Sequence, residues 1–152
     1  MNSGTIDSPF GPITFTIEEG LVTRVKFQPG EDNFDGGDPV MAETARQLRE
    51  YTAAARFSFD LPLAPALSNF QSQIRRSMIT IPYGEIRTYG ELAKELGSAP
   101  QAVGQACSAN PIPIIVPCHR VVASGGKLGG FSGGDGAPTK KKLLNHEAVY
   151  AP

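Results

Sequence analysis

The sequence predicts an α/β protein of two small lobes, an N-terminal α/β lobe over residues 1–66 and a mainly helical C-terminal lobe over residues 67–152. Three observations predict it. Apolar and polar residues alternate from Gly4 to Pro29, helical spacing takes over from Pro39, and two short helices around a glycine turn occupy residues 88–109. A chain of 152 residues with 40% apolar content is long enough to bury a core.

In chain order, Ile13, Phe15 and Ile17, then Leu21, Val22, Val25 and Phe27, flank Glu19-Gly20 as the two arms of a hairpin. Gly30 to Pro39 is acidic and glycine-rich and reads as a loop. A helix starts at Asp38-Pro39 and places Val40, Met41, Ala45, Leu48 and Tyr51 on one buried face. Phe57 to Leu63 is expected to add a strand before Pro62 and Pro65 open a linker. This half carries no chemistry, and its aromatics are most simply core.

Residues 67–80 form the next helix, with Ser68 as N-cap and Phe70, Ile74, Met78 and Ile79 facing inward, and Pro82-Tyr83-Gly84 ends it. Thr88 followed three residues later by Glu91 is a capping box. Gly97 and Ser98 break that helix, and a second runs from about Pro100 to Ala109. Two helices joined in this way match a helix-turn-helix, a weak signal alone because many helical hairpins bind nothing. The small residues Ala102, Gly104, Ala106 and Ser108 let the second helix approach another surface closely.

Net charge is -1 overall but unevenly spread. Residues 1–69 carry five Lys/Arg against ten Asp/Glu, and residues 70–152 carry nine against five, so the second half is the better face for a polyanion. Ordinary solvated surface gives the same asymmetry. No apolar run approaches the roughly 20 residues of a membrane span, and the first residues lack a basic-then-apolar signal, so a cytoplasmic protein without a membrane partner is expected. Two cysteines without a C-x-x-C pair and two histidines argue against a disulfide framework and a four-ligand metal site.

Chemistry concentrates in Ile112 to Val122, I-P-I-I-V-P-C-H-R-V-V, where Cys118 stands beside His119 in an apolar run. A lone cysteine so flanked is ordinarily inert core. Pro117 fixes the backbone beside it, however, His119 and Arg120 follow at once, and the run Gly125–Gly134 is too glycine-rich for core. The segment P-C-H-R-V, with N-P upstream and G-G-F-S-G-G downstream, resembles the active-site signature of the O6-alkylguanine-DNA alkyltransferases. The resemblance spans nearly the whole chain, from S-P-F-G-P-I-T to K-K-K-L-L-N-H-E.

That resemblance implies repair of double-stranded DNA containing O6-alkylguanine, by irreversible transfer of the alkyl group to Cys118, by a monomer that needs no cofactor and is consumed. A free thiol is mostly protonated at neutral pH, so it needs a base. The implied relay is Cys118, water, His119 and Glu147, with His146 a surface neighbour. Tyr89 is implied to contact DNA and the flipped base and to give the purine a proton. Asn110 is implied to satisfy backbone groups at a bend, and Arg120 to pair internally. Val116, Phe131, Ser132 and Lys140 are implied to line the guanine pocket with Tyr89. Thr88, Gln101, Ala102, Gly104 and Gln105 are implied to face the minor groove.

Two departures stand out. Gln101 occupies the place of the family's arginine before A-V-G, which fills the gap left by the flipped base, and Arg75 stands where an apolar residue is common. A neutral amide offers no charge to the minor groove. Two other readings compete. A non-enzymatic or weakly active lesion sensor shares the fold but replaces the cysteine, and a thiol hydrolase needs nucleophile and base on separate elements with oxyanion donors. Mass analysis after incubation with methylated DNA separates all three.

Overall fold

The computed structural model describes residues 2–31 and 38–152. The chain divides into two compact units, Met1–Ala64 and Pro65–Pro152. Most of the loop expected over Gly30–Pro39 lies outside the described residues.

The first unit is a three-stranded antiparallel sheet with one helix on it. Strands β1 (Asn2–Ile6), β2 (Ile13–Glu18) and β3 (Leu21–Lys26) pair in that order. The hairpin is therefore extended by β1, whose N-S-G-T-I carries too little apolar content to announce a strand. It pairs Asn2 with Ile17 through to Ile6 with Ile13. Glu19 and Gly20 both have positive φ, 51° and 75°, which is what a two-residue turn matching the strand twist demands. A Cβ on Gly4 would lie 2.7 Å from Cζ of Phe15, so any larger residue there would have to displace that buried ring. Helix α1 (Pro39–Thr52) is capped by Asp38, whose carboxylate accepts from the amides of Val40 and Met41. Its buried Met41, Leu48 and Tyr51 share a core with Ile13, Phe15, Ile17 and Val22.

The strand expected over Phe57–Leu63 does not form. Only Leu63 bridges, to Val22, through Val22 N to the Pro62 carbonyl and Ala64 N to the Val22 carbonyl. The reason is local. Pro62 has no N–H to offer, and the buried amide of Gln47 takes the place of a partner strand, donating to the Asp60 carbonyl and accepting from Asp60 N.

The second unit is mainly helical. Helix α2 (Asn69–Ile79) is capped by Ser68, whose hydroxyl accepts from Gln71 N at 3.1 Å. Its buried stripe is Ile74, Ser77 and Met78, with Phe70 half-buried. Ile79, expected to face inward, is 51% exposed because it lies about 100° round the helix from Met78. Strand β4 (Arg87–Thr88) leads directly into α3 (Tyr89–Leu96). Both bonds of the Thr88–Glu91 capping box are present, and Gly97, at φ 64°, ends the helix in the left-handed conformation. Helix α4 (Pro100–Ser108) completes the helix-turn-helix, with Val103, Ala106 and Cys107 buried. A single turn of 3₁₀ helix, Cys118–Arg120, runs into β5 (Val121–Val122), which pairs in parallel with β4. Helix α5 (Ala137–Tyr150) buries Thr139, Lys140, Leu143 and Glu147, a stripe at three- and four-residue spacing. Among the described residues no helix is long and apolar enough to cross a membrane.

Candidate active site

The bend between α4 and the 3₁₀ turn sets the position of Cys118. Asn110 spans it, donating through Nδ2 to the Val116 carbonyl at 3.0 Å and accepting at Oδ1 from Ile112 N at 3.1 Å. Ile114 within the bend has φ 72°, a costly conformation for a β-branched residue. Pro117, at φ -81° and ψ 65°, makes an inverse γ-turn in which Cys118 N donates back to the Val116 carbonyl at 2.8 Å. The thiol that follows is 6% exposed.

Burial pushes the Cys118 thiol up from its ordinary pKa. The Asn110 amide, the Lys140 ammonium and the backbone N–H groups of Cys118 and His119 pull it back down. Cys107, the other thiol, packs its sulfur 3.7 Å from the Met78 sulfur, and burial drives it up to about 12.

His119 is fully buried, with Nε2 2.6 Å from Oε2 of Glu147 on α5. Its Nδ1 is buried with no hydrogen-bond partner among the described residues. Burial lowers the imidazole pKa, the Glu147 carboxylate raises it, and the charges of Arg120 and Lys140 lower it again. For Glu147, burial favours the protonated form, but hydrogen bonds and charge from His119 and Arg120 outweigh it and hold the carboxyl well below the usual range. Arg120 meets Glu147 with Nε at 2.8 Å and Nη2 at 3.1 Å, donates Nη1 to the Ile81 carbonyl at 2.7 Å and lies 5.7 Å over the Tyr83 ring. His146 is half-buried, between the rings of Tyr83 and Tyr150.

A second cluster lies between α3 and α5. Lys140 is fully buried, and its ammonium donates to the Val121 carbonyl at 2.7 Å, the Gly130 carbonyl at 3.2 Å and the Tyr89 hydroxyl at 3.3 Å. Three acceptors match its three donors. The Tyr89 ring is half-buried, with the ammonium 5.5 Å from its centroid, and burial raises its phenol pKa. Tyr89 also lines an open groove with Gln101, Gly104, Gln105, Ser108 and Gly130, so one side chain joins the helix-turn-helix surface to the Lys140 cluster. The Ser132 hydroxyl donates to the Ser108 carbonyl at the end of α4, and Phe131 beside it is half-buried.

Among the residues implied by the sequence, Thr88 is occupied in capping α3 and Ala102 is half-buried. Val116 is fully buried and its carbonyl accepts from Asn110 and Cys118, so it braces the bend. Sequence reasoning missed Ile81, Tyr83, Gly84 and Gly129. Gly84 N donates to Oε1 of Glu147 at 3.1 Å, and a Cβ on Gly129, at φ 77°, would strike the Tyr89 hydroxyl. The turn P-Y-G and the glycine run were their only visible signals.

Fold and site together define a class, a helix-turn-helix protein that carries a buried thiol beside an imidazole–carboxylate pair. Comparison with known proteins gives the family. Residues 1–65 match the ribonuclease-like domain, and residues 69–149 the DNA binding domain, of 6-O-methylguanine DNA methyltransferase, and the chain belongs to that family. It is 38% identical to the methylated-DNA–protein-cysteine methyltransferase of Mycobacterium tuberculosis, over 97% of this chain and 93% of that one. It is 43% identical to the Methanosarcina acetivorans protein of the same name, over 84% and 87%. Among solved structures, Mycobacterium tuberculosis O6-methylguanine methyltransferase superposes with a TM-score of 0.86 at 39% identity, covering 99% of this chain and 94% of that one. OGT from the same organism, in complex with DNA, gives 0.85 at 38%, covering 100% and 96%.

Proposed function

We propose that this protein repairs DNA by moving an alkyl group from O6 of guanine in a duplex onto the sulfur of Cys118, once per molecule. The observation that carries this reading is the 2.6 Å contact between His119 and Glu147, one residue from a thiol held on an Asn110-braced bend. Helix α4 enters the minor groove, with Gln101 and Gln105 exposed on it, and Gly104 sits close against the Tyr89 ring. The flipped guanine meets Tyr89, Phe131 and Ser132.

The thiol proton passes through a bridging water to Nδ1 of His119, whose positive charge Glu147 stabilises. The sulfur attacks the alkyl carbon, a C–S bond forms and the C–O6 bond breaks. The purine leaves with the electron pair and takes a proton from Tyr89, whose hydroxyl faces the Lys140 ammonium. No group in the site can hydrolyse the resulting thioether, so the protein is consumed and needs no cofactor. It acts as a cytoplasmic monomer.

Incubation with duplex DNA containing O6-methylguanine tests the reading. Transfer should stop at one methyl per protein, and Cys118→Ala should abolish it while keeping lesion binding. Continued turnover, or transfer by Cys118→Ala, contradicts it. Binding without transfer in the natural protein makes it a sensor.

A further inference from the structure

Gly84 N, His119 and Arg120 all hydrogen-bond the Glu147 carboxylate, and Arg120 does so twice, once to each oxygen. The guanidinium cannot turn away without also breaking its bond to the Ile81 carbonyl. An arginine is charged at every pH the protein meets, so this buried cation is permanent. An ionised carboxylate only accepts hydrogen bonds, so the proton between Glu147 and His119 belongs to Nε2 of the imidazole. The remaining ring nitrogen, Nδ1, then carries the lone pair, and it is the atom with no partner among the described residues.

We infer that Arg120 is a positioning residue of the proton relay: by gripping both oxygens of Glu147 it keeps the carboxylate ionised, fixes His119 in the Nε2–H form and leaves Nδ1 as the base. This rests on the reading of Cys118 and His119 given above. The physical reason is charge balance in a dry site. With Arg120 present, the Glu147 charge is already offset, and His119 can rest neutral, ready to accept a proton. Without it, the buried carboxylate loses the cation that offsets its charge and leans more on the imidazole, so the pair holds a shared proton to higher pH. A histidine already protonated cannot take the Cys118 proton. The other charged group acting on His119 is Lys140, on the same helix as Glu147, and the Tyr83 phenol interacts with both Glu147 and Arg120.

The test is a nitrogen-15 NMR titration of the imidazoles in the full chain. The sequence has two histidines, so His146→Gln assigns the signals. In the natural protein His119 should be a neutral Nε2–H imidazole at neutral pH. Arg120→Met should raise its titration midpoint by about 1–3 pH units, the usual effect of a nearby charge. The pH at which alkyl transfer becomes fast should rise with it. Arg120→Lys restores the charge without the two-oxygen grip and should give an intermediate midpoint. A purely structural role would lower the melting temperature and leave the midpoint in place. An unmoved or lowered midpoint in folded Arg120→Met overturns the inference, as does an unmoved midpoint in Arg120→Lys if the methionine variant does not fold. The titration is read without DNA, so its failure leaves transfer to Cys118 standing, and transfer by Cys118→Ala leaves the titration standing.

Discussion

The side-chain amide of Asn110 donates to the Val116 carbonyl at 3.0 Å, closing the bend that delivers Cys118 and holding Ile114 at φ 72° within it. The same amide lowers the Cys118 thiol pKa, offsetting part of the rise that burial causes. One residue therefore sets the path of the chain and eases ionisation of the thiol against the effect of burial.

Asn110→Ala should lower stability and transfer together. It removes one donor from the Val116 carbonyl and leaves the buried Ile112 amide without its acceptor, a loss of about 1–3 kcal/mol. Denaturant unfolding should show a lower midpoint at unchanged slope. A variant as stable as the natural protein would mean the bend is held by its apolar neighbours alone.

Acid should unfold the second unit through Glu147. Its carboxyl has an ordinary pKa of 4.5 when the chain is unfolded and a lower one when folded, because the bonds and charges of His119 and Arg120 outweigh burial. A depressed folded pKa contributes stability that is complete above the unfolded value and is lost as pH falls through the folded one. Stability should decline from about pH 4.5 downward, and Glu147→Gln should flatten that decline while destabilising the protein at neutral pH. Equal slopes in the two proteins would remove Glu147 from the account.

Gln101→Arg tests the recognition helix. Gln101 is exposed on α4 and lines the groove with Tyr89. Flipping a base costs a few kcal/mol of stacking, partly offset by whatever side chain enters the gap. An arginine there should tighten duplex binding and steepen its salt dependence by up to about one counterion. Repair of duplex should accelerate more than reaction with free modified guanine, where no flipping is needed. Equal acceleration of both would mean position 101 does not enter the gap.

Much of this was legible in the sequence because the signals are local. The Thr88–Glu91 capping box, the Glu19-Gly20 turn and the P-C-H-R-V segment each declare themselves within a few residues. Contacts that depend on backbone atoms far away did not declare themselves. Nothing in the sequence says that the Ile81 carbonyl will receive Arg120 or that Gly84 N will meet Glu147 63 residues on. Strand β1 was hidden by its polar composition. The expected strand at Phe57–Leu63 failed because a buried glutamine side chain met the backbone that a strand would have paired.

The most direct measurement is mass spectrometry of peptides from the protein after reaction with duplex DNA containing a single O6-methylguanine. The peptide holding Cys118 should gain one methylene's mass, fragmentation should place it on that sulfur, and the Cys107 peptide should be unchanged, because burial holds that thiol at a pKa of about 12. A methyl on Cys107, on any other residue, or on none while the DNA is repaired would contradict the account.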